Sequence, residues 1–394
     1  MSLSGLRLPD SIGAMVSSTL LSALRLVPDW SPAQWVQAFY IVATGLVLGV
    51  AILPKRARGY LLTYGARGAK PAAEEGDEEP GQDRLGEHYR DDDQVGDDAQ
   101  DREEGVQQGE GRQDAEEEQD TADGQGGDDV QDRENGQDSE SGQDDWFAKF
   151  VAFVTSCGQI PHSWFGGFYM VSVACSVFWL VQYVTDGRIL HFFTTRQASA
   201  AAAGMEPGQV VLLWSMMFLQ GGRRLFESLV LVKPGSKSTM WIVHWLLGNV
   251  FYIVMSLSVW IEGSEAILQR RLFSDFTGLV TPKTVSATLV YLFAAISQYR
   301  CHKHLASLKK YSLPNRGAFR FLVCPHYAFE SLLYLSMAVA GAPKGTLCNT
   351  TLICGLLFVV TNLGVTAGTT RKWYTEKFGA DAVKKRWNII PLLY

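Results

Sequence analysis

Seven apolar stretches, near residues 34–53, 164–184, 209–232, 241–261, 284–299, 318–341 and 347–368, approach the length a helix needs to cross about 30 Å of hydrocarbon. Such a chain has few folding options, because backbone N–H and C=O groups inside a bilayer must be paired within their own segment. The expected fold class is an all-α integral membrane protein of about seven transmembrane helices with a disordered acidic cytosolic insert. The 284–299 run is short, and the 318–341 run carries His326 and Glu330.

The net charge of −6 averages two unlike materials. Residues 71–145 hold 30 of the 41 acidic residues and 5 of the 35 basic ones, with many Gly and Gln and almost no aromatics. A segment of that composition cannot bury a core and is expected to be disordered. The remaining chain carries 11 acids against 30 bases and is strongly apolar. Its basic residues flank apolar runs rather than forming one soluble face, which excludes a nucleic-acid binder. Six cysteines, Cys157, Cys175, Cys301, Cys324, Cys348 and Cys354, form no CxxC pair and no zinc spacing with histidine, so neither a disulfide framework nor a metal site is expected.

Basic residues set the orientation, because they favour the cytosolic side of short loops. Lys55, Arg56, Arg58, Arg67 and Lys70 follow the first run, Lys233 and Lys237 the third, and Arg300, Lys303, Lys309, Lys310 and Arg316 the fifth. Arg371, Lys372, Lys377, Lys384, Lys385 and Arg386 follow the last, so the C-terminus and the acidic insert are expected in the cytosol. Residues 1–33 form a luminal or interfacial segment, within which 11–27 read as an interfacial helix or, alternatively, a cleavable signal. Residues 34–70 are the first span with its basic flank. The sequon Asn349-Thr350-Thr351 abuts a span on the luminal side and is expected to be unused.

Within this apolar background the segment LQGGRRLFESL, residues 219–229, places Arg223, Arg224 and Glu227 inside the third run. Each such charge costs about 2.5–3.5 kcal/mol at mid-depth by insertion scales, so the set marks a polar cavity, a bound anion or a partner. Glu227 lies three and four residues past the arginines, within reach of both on a helix, and a purely structural ion pair is the plain alternative. In the sixth run His326, Glu330 and Tyr334 share one helical face, with Tyr327 beside them. The loop QYRCHKHLASLKKYSLPNRGAFR, residues 298–320, is basic and carries His302 and His304. A basic cytosolic rim suits a phosphate-bearing ligand, and equally the ordinary positive-inside bias or anionic lipid. No P-loop, HExxH, GxSxG or GxGxxG motif is present, so any nucleotide is held without a Rossmann domain.

Four blocks in order, Arg223-Arg224-Leu225-Phe226-Glu227, QYRCH at 298–302, CPHYAFESLLYLSMAV at 324–339 and the closing Tyr374…Lys377-Phe378…Ile390-Pro391-Leu392-Leu393-Tyr394, resemble the steroid 5α-reductase family. More narrowly they are similar to its polyprenol (polyprenal) reductase branch, over roughly 164–394. The resemblance implies a membrane catalytic domain, 146–394, in a multi-pass endoplasmic reticulum enzyme. Such an enzyme uses NADPH to saturate the α-isoprene unit of a long-chain polyprenoid lipid for dolichol synthesis and protein N-glycosylation. It also implies cofactor contacts at Arg224, Lys309, His326 and Tyr374, with Glu330 at the family's glutamate; Arg223, His302 and Arg371 join them as candidate cofactor contacts. The family's Tyr-Pro before the final basic cluster is replaced around Asp381-Ala382-Val383, and its histidine before Tyr374 by Arg371 or Lys372.

Hydride attacks an electron-poor carbon, which an isolated allylic alcohol lacks and an α,β-unsaturated aldehyde offers while a donor holds its carbonyl oxygen. Polyprenal is therefore the expected substrate, with Glu227, Glu330 or Tyr327 as candidate catalytic donor. Two alternatives stand beside this reading: a steroid enone or enoyl-thioester reductase of the same fold, and a seven-helix transporter or receptor, for which the chain shows no matching inverted repeats.

Overall fold

The computed structural model describes residues 30–62, 138–200, 204–231, 239–309 and 312–394. The proposed N-terminal interfacial helix and nearly all of the acidic insert lie outside the described residues. The chain divides into two units, 1–69 with 140–394 and 70–139. Among its described residues the first is helical apart from connecting loops and a two-stranded antiparallel ribbon, β1 (Gln159–Pro161) with β2 (Thr239–Trp241).

Seven long helices coincide with the seven apolar runs: α1 (Pro32–Ile52), α4 (Gly167–Val184), α6 (Pro207–Val230), α7 (Ile242–Ile261), α9 (Pro282–Ser307), α10 (Pro325–Ala340) and α11 (Thr350–Phe378). Four further α-helices among the described residues, α2 (Lys55–Leu62), α3 (Asp138–Ser156), α5 (Arg188–Ala200) and α8 (Ser264–Leu268), connect or flank them. Four segments among the described residues are long and apolar enough to cross a membrane: Pro32–Ile52, His162–Val184, Ile242–Ile261 and Thr350–Phe378. The 318–341 run is shorter as a helix than as an apolar stretch. Pro325 occupies the first turn and Cys324 stands outside it as N-cap, as expected where proline restricts its predecessor and supplies no N–H. Conversely α9 and α11 run past their apolar cores to Ser307 and Phe378, beyond the ends read from hydropathy.

Helix starts follow local chemistry. Ser31 with Gln34, Glu206 with Gln209 and Thr281 with Thr284 form reciprocal capping boxes at α1, α6 and α9, each followed by proline in the first turn. Asn349 caps α11 by accepting from Leu352 N at 2.9 Å. These starts gather at one end of the bundle: Gln37 donates to Thr351 Oγ1 at 2.9 Å, Asn349 Nδ2 to Glu262 at 2.9 Å, and Gln209 Nε2 to the carbonyls of Ala340 and Ala342 at 2.7 and 2.9 Å. At the other end the start of α7 meets the approach to α4 through Trp245 Nε1 and Trp164 O at 3.0 Å. The seven long helices thus alternate in direction. The basic clusters 300–320 and 371–386 fall at this second end, together with α2.

The core joins aromatic, sulfur and aliphatic side chains from several helices, including Tyr40, Met217, Met255, Trp260, Leu333 and Met337, all buried. At Gly221 of α6 an added Cβ would lie 2.7 Å from Ser172 Oγ of α4. The missing side chain lets the two backbones approach, as small residues do between membrane helices.

Candidate active site

Near the second end of the bundle, four helices contribute polar side chains to one connected network. Its centre is Glu227 on α6, whose side chain has no exposed surface. Its carboxylate accepts from Arg223 and Arg224, one turn back on the same helix, and meets His302 Nδ1 of α9 at 2.7 Å. Arg224 also reaches His302 Nδ1 at 2.9 Å and donates to Tyr169 Oη of α4 at 2.5 Å, with its guanidinium 4.7 Å from the centre of that ring. The placement combines a charged hydrogen bond with a cation–π contact.

Arg223 extends the network the other way. It donates to Gln220 Oε1 at 2.7 Å and to Gln298 Oε1 of α9. Gln298 Nε2 donates to Glu330 of α10, as does Gln220 Nε2 at 3.1 Å, both to the same carboxylate oxygen. Among the described residues no hydrogen bond is made to the other oxygen of Glu330. Arg223 Nε is likewise a buried donor without an acceptor there. Two arginines are thereby matched by two carboxylates, with amides relaying between them, which is how a buried ionic group avoids an uncompensated desolvation cost.

A second cluster forms where the chain returns after α11. Val323, Cys324, Ala367, Tyr374, Val383 and Ile389 are buried together, with Tyr327, Trp373 and Phe378 against them. Residues 379–394 lie along the start of α10 through a parallel bridge between Leu322 and Trp387. Val323 N donates to Trp387 O at 2.8 Å, and Cys324 N to Asn388 O at 3.0 Å. Arg371 pins this tail, with Nε on Asn388 Oδ1 at 2.6 Å and Nη1 on Val383 O at 3.0 Å. Arg386 donates to Pro314 O at 2.7 Å, and burial lowers its pKa.

The candidate residues therefore divide. Arg223, Arg224, Glu227, His302 and Glu330 share the network, while Tyr327, Arg371 and Tyr374 belong to the tail cluster. His326 stands between them, its ring 5.6 Å from His302 and 4.2 Å from Tyr327. Lys309 is exposed beyond the end of α9, outside both groups. Gln220, Gln298 and Tyr169 complete the network and were not anticipated. Glutamine and tyrosine in apolar runs carry no charge signal, although Gln298 lies at the head of the QYRCH block. Cavities of about 350 Å³ beside Gln37, Gln197 and Glu262, and of about 360 Å³ beside His191 and Arg196, lie away from these residues.

No group of three or more His, Cys, Asp or Glu among the described residues could hold a metal ion. The donor set does fit a nicotinamide dinucleotide. The unmatched Arg223 Nε and the basic rim along 300–320 offer a donor and positive charge to carboxamide and phosphate groups.

Residues 238–394 match the family described as 3-oxo-5-alpha-steroid 4-dehydrogenase. The stretch runs from β2 to the C-terminal tail and holds Gln298, His302, His326, Glu330, Arg371 and Tyr374. The chain is 31% identical over 182 residues to a polyprenal reductase of Saccharomyces cerevisiae, covering 46% of this chain and 64% of that protein. It is 27% identical to polyprenal reductase 1 of Arabidopsis thaliana over 60% of this chain and 82% of the relative. A polyprenal reductase of Xenopus laevis matches at 27% over 60% and 78%. The similarity thus spans less than two thirds of the yeast protein's length. The resemblance to the steroid 5α-reductase family and to its polyprenal reductases, drawn from the four sequence blocks, is shown by these matches.

Proposed function

Starting from a chain whose C-terminal part carries the 5α-steroid reductase family domain, we propose that it is an NADPH-dependent oxidoreductase acting on CH–CH bonds. It saturates the α-isoprene double bond of a long polyprenal, giving dolichal and, as the net pathway, dolichol for N-glycosylation. The observation that carries this reading is the single network uniting Arg223, Arg224 and Glu227 with Gln298, His302 and Glu330, three of which lie inside the family-matched stretch.

A reduced nicotinamide supplies hydride to an electron-poor carbon; the chain supplies position, charge and a proton. Glu227 is fully engaged by two arginines and a histidine, which makes it the anchor of the cationic pair rather than a donor. Glu330 has one carboxylate oxygen held by two amides and the other without a hydrogen bond among the described residues, so it is the residue we assign to the carbonyl oxygen of the aldehyde as that oxygen gains charge. Tyr327 packs toward the tail cluster instead. Arg223, Arg224, His302 and His326 would line the cofactor, with Lys309 at its phosphate end and Arg371 and Tyr374 holding the tail across that end.

Seven spans fit this arrangement. The polar inward faces of α6 and α9 lower their mean hydropathy, yet both turn apolar residues outward: Leu219, Phe226 and Leu229 on α6, and Leu289, Phe293 and Ile296 on α9. Lipid-facing stripes of this kind, with the basic end placed in the cytosol, support a multi-pass membrane protein with a cytosolic C-terminus, and the polyprenal reductase relatives favour the endoplasmic reticulum.

A steroid enone is the second reading, favoured by the description of the matched family. Cofactor oxidation by detergent-purified protein offered polyprenal, polyprenol and a steroid enone in parallel, with Glu330→Gln as control, separates them. Turnover with polyprenal alone supports the proposal; turnover only with the enone overturns the substrate, and none with any overturns the reaction.

A further inference from the structure

Helix α3 is not among the long apolar helices, yet it presents an aromatic face to the outside. Trp146, Phe150 and Phe153, at positions i, i+4 and i+7, are 67%, 51% and 68% exposed, and the first two rings stack 5.9 Å apart. Its opposite face is spent on the protein: Ala148 and Val151 are buried against Ala57 and Leu61 of α2. Both helices of the pair are tied to spanning segments at the basic end of the bundle. Only Leu53 and Pro54 separate α1 from α2, and Arg58 Nη1 of α2 donates to the carbonyl of Ala51 in the last turn of α1 at 2.8 Å. On the other side α3 leads through β1 to α4, past exposed Trp164.

We propose that the exposed face of α3 is seated in the interfacial layer of the same bilayer that the long helices cross. An amphipathic helix with Trp and Phe on one side lies in the headgroup region by burying that side about 5–10 Å deep, and tryptophan concentrates at that level. The tethers hold α3 at this depth. The other apolar candidate within the chain, the segment around 11–27, precedes the start of α1, and a 21-residue helix places that start on the order of 30 Å from α2. The acidic insert offers almost no apolar side chains to cover three aromatic rings.

The full chain in vesicles of phosphatidylcholine brominated either near the headgroup or deep in the acyl chain provides the test, read as the tryptophan fluorescence of the protein minus that of Trp146→Phe. The Trp146 contribution is expected to be quenched by the shallow bromines more than by the deep ones, and to lose that quenching in the Phe150→Ser/Phe153→Ser variant. Quenching by aqueous acrylamide with no effect of either lipid overturns the proposal in favour of a solvated face. Protection from both quenchers overturns it in favour of a protein partner or a second copy. Unchanged shallow quenching in the double variant overturns the role of the aromatic face. None of these outcomes depends on which reaction the chain catalyses.

Discussion

Glu227 on α6 and His302 on α9 meet at 2.7 Å, and this contact closes the one point at which both arginines, a carboxylate and an imidazole share a buried volume. The pairing joins residues that are 75 positions apart in sequence. It makes Glu227 the counter-ion on which the buried charge of α6 depends.

Replacing Glu227 by Ala removes the one carboxylate that Arg223 and Arg224 contact directly, leaving only Glu330, reached through the amides of Gln220 and Gln298, to offset their charge. Breaking a buried ion pair by removing one partner costs about 3–5 kcal/mol. Thermal unfolding of the detergent-purified variant is expected to show a loss of that order, and a variant as stable as the parent would dismiss the anchoring role.

Glu330→Gln should behave differently. A glutamine keeps an acceptor for Gln220 and Gln298, so the unfolding temperature is expected to hold, while turnover of the aldehyde falls about 10²–10⁴-fold, the usual contribution of a positioned proton donor. Single-turnover rates measured beside thermal unfolding distinguish this from a folding defect.

The tail contact predicts a coupled pair. Arg371→Ala and Asn388→Ala each remove a hydrogen bond to a charged group, for which about 1.5–3 kcal/mol is typical. Because both break the same contact, the double variant should lose less than the two single losses added together. Proteolysis of residues 379–394 under native conditions should rise in all three, and an unchanged cleavage rate would show that the contact does not hold the tail.

Glu262, just past the end of α7, gives a pH dependence. Burial raises its pKa, partly opposed by the hydrogen bond from Thr351 N. A carboxyl whose folded pKa lies above its unfolded value contributes stability that is present below the unfolded pKa and is lost as pH rises through the folded one. The stability of Glu262→Gln relative to the parent should therefore improve as pH rises above the unperturbed carboxyl range, about pH 4. Parallel unfolding curves across that range would contradict the assignment.

The seven helices were legible because each buries apolar residues in a run too long for a soluble loop, and Arg223, Arg224 and Glu227 were legible because charge is costly in such a run. Helix ends were less so. Hydropathy stops at residue 299, but the backbone of α9 continues through Arg300, Lys303 and His304, since a helix can leave the apolar zone without unwinding. The amides of Gln220 and Gln298 were invisible because their importance lies in a meeting across three helices, which no local pattern records. Helix α5, RILHFFTTRQASA, is only 13 residues long and ends in polar and small residues, so it carries no spanning signal.

The α2–α3 pair has one more consequence, for the history of the chain. By packing Ala57 and Leu61 against Ala148 and Val151, it clamps together the two points between which the acidic residues are strung. For any flexible loop whose ends are held, the closure entropy grows only with the logarithm of its length, about 0.6 kcal/mol for each doubling. The clamp thus acts as a splice point, where additions and losses of sequence can accumulate over generations almost unseen by the bundle that bears them.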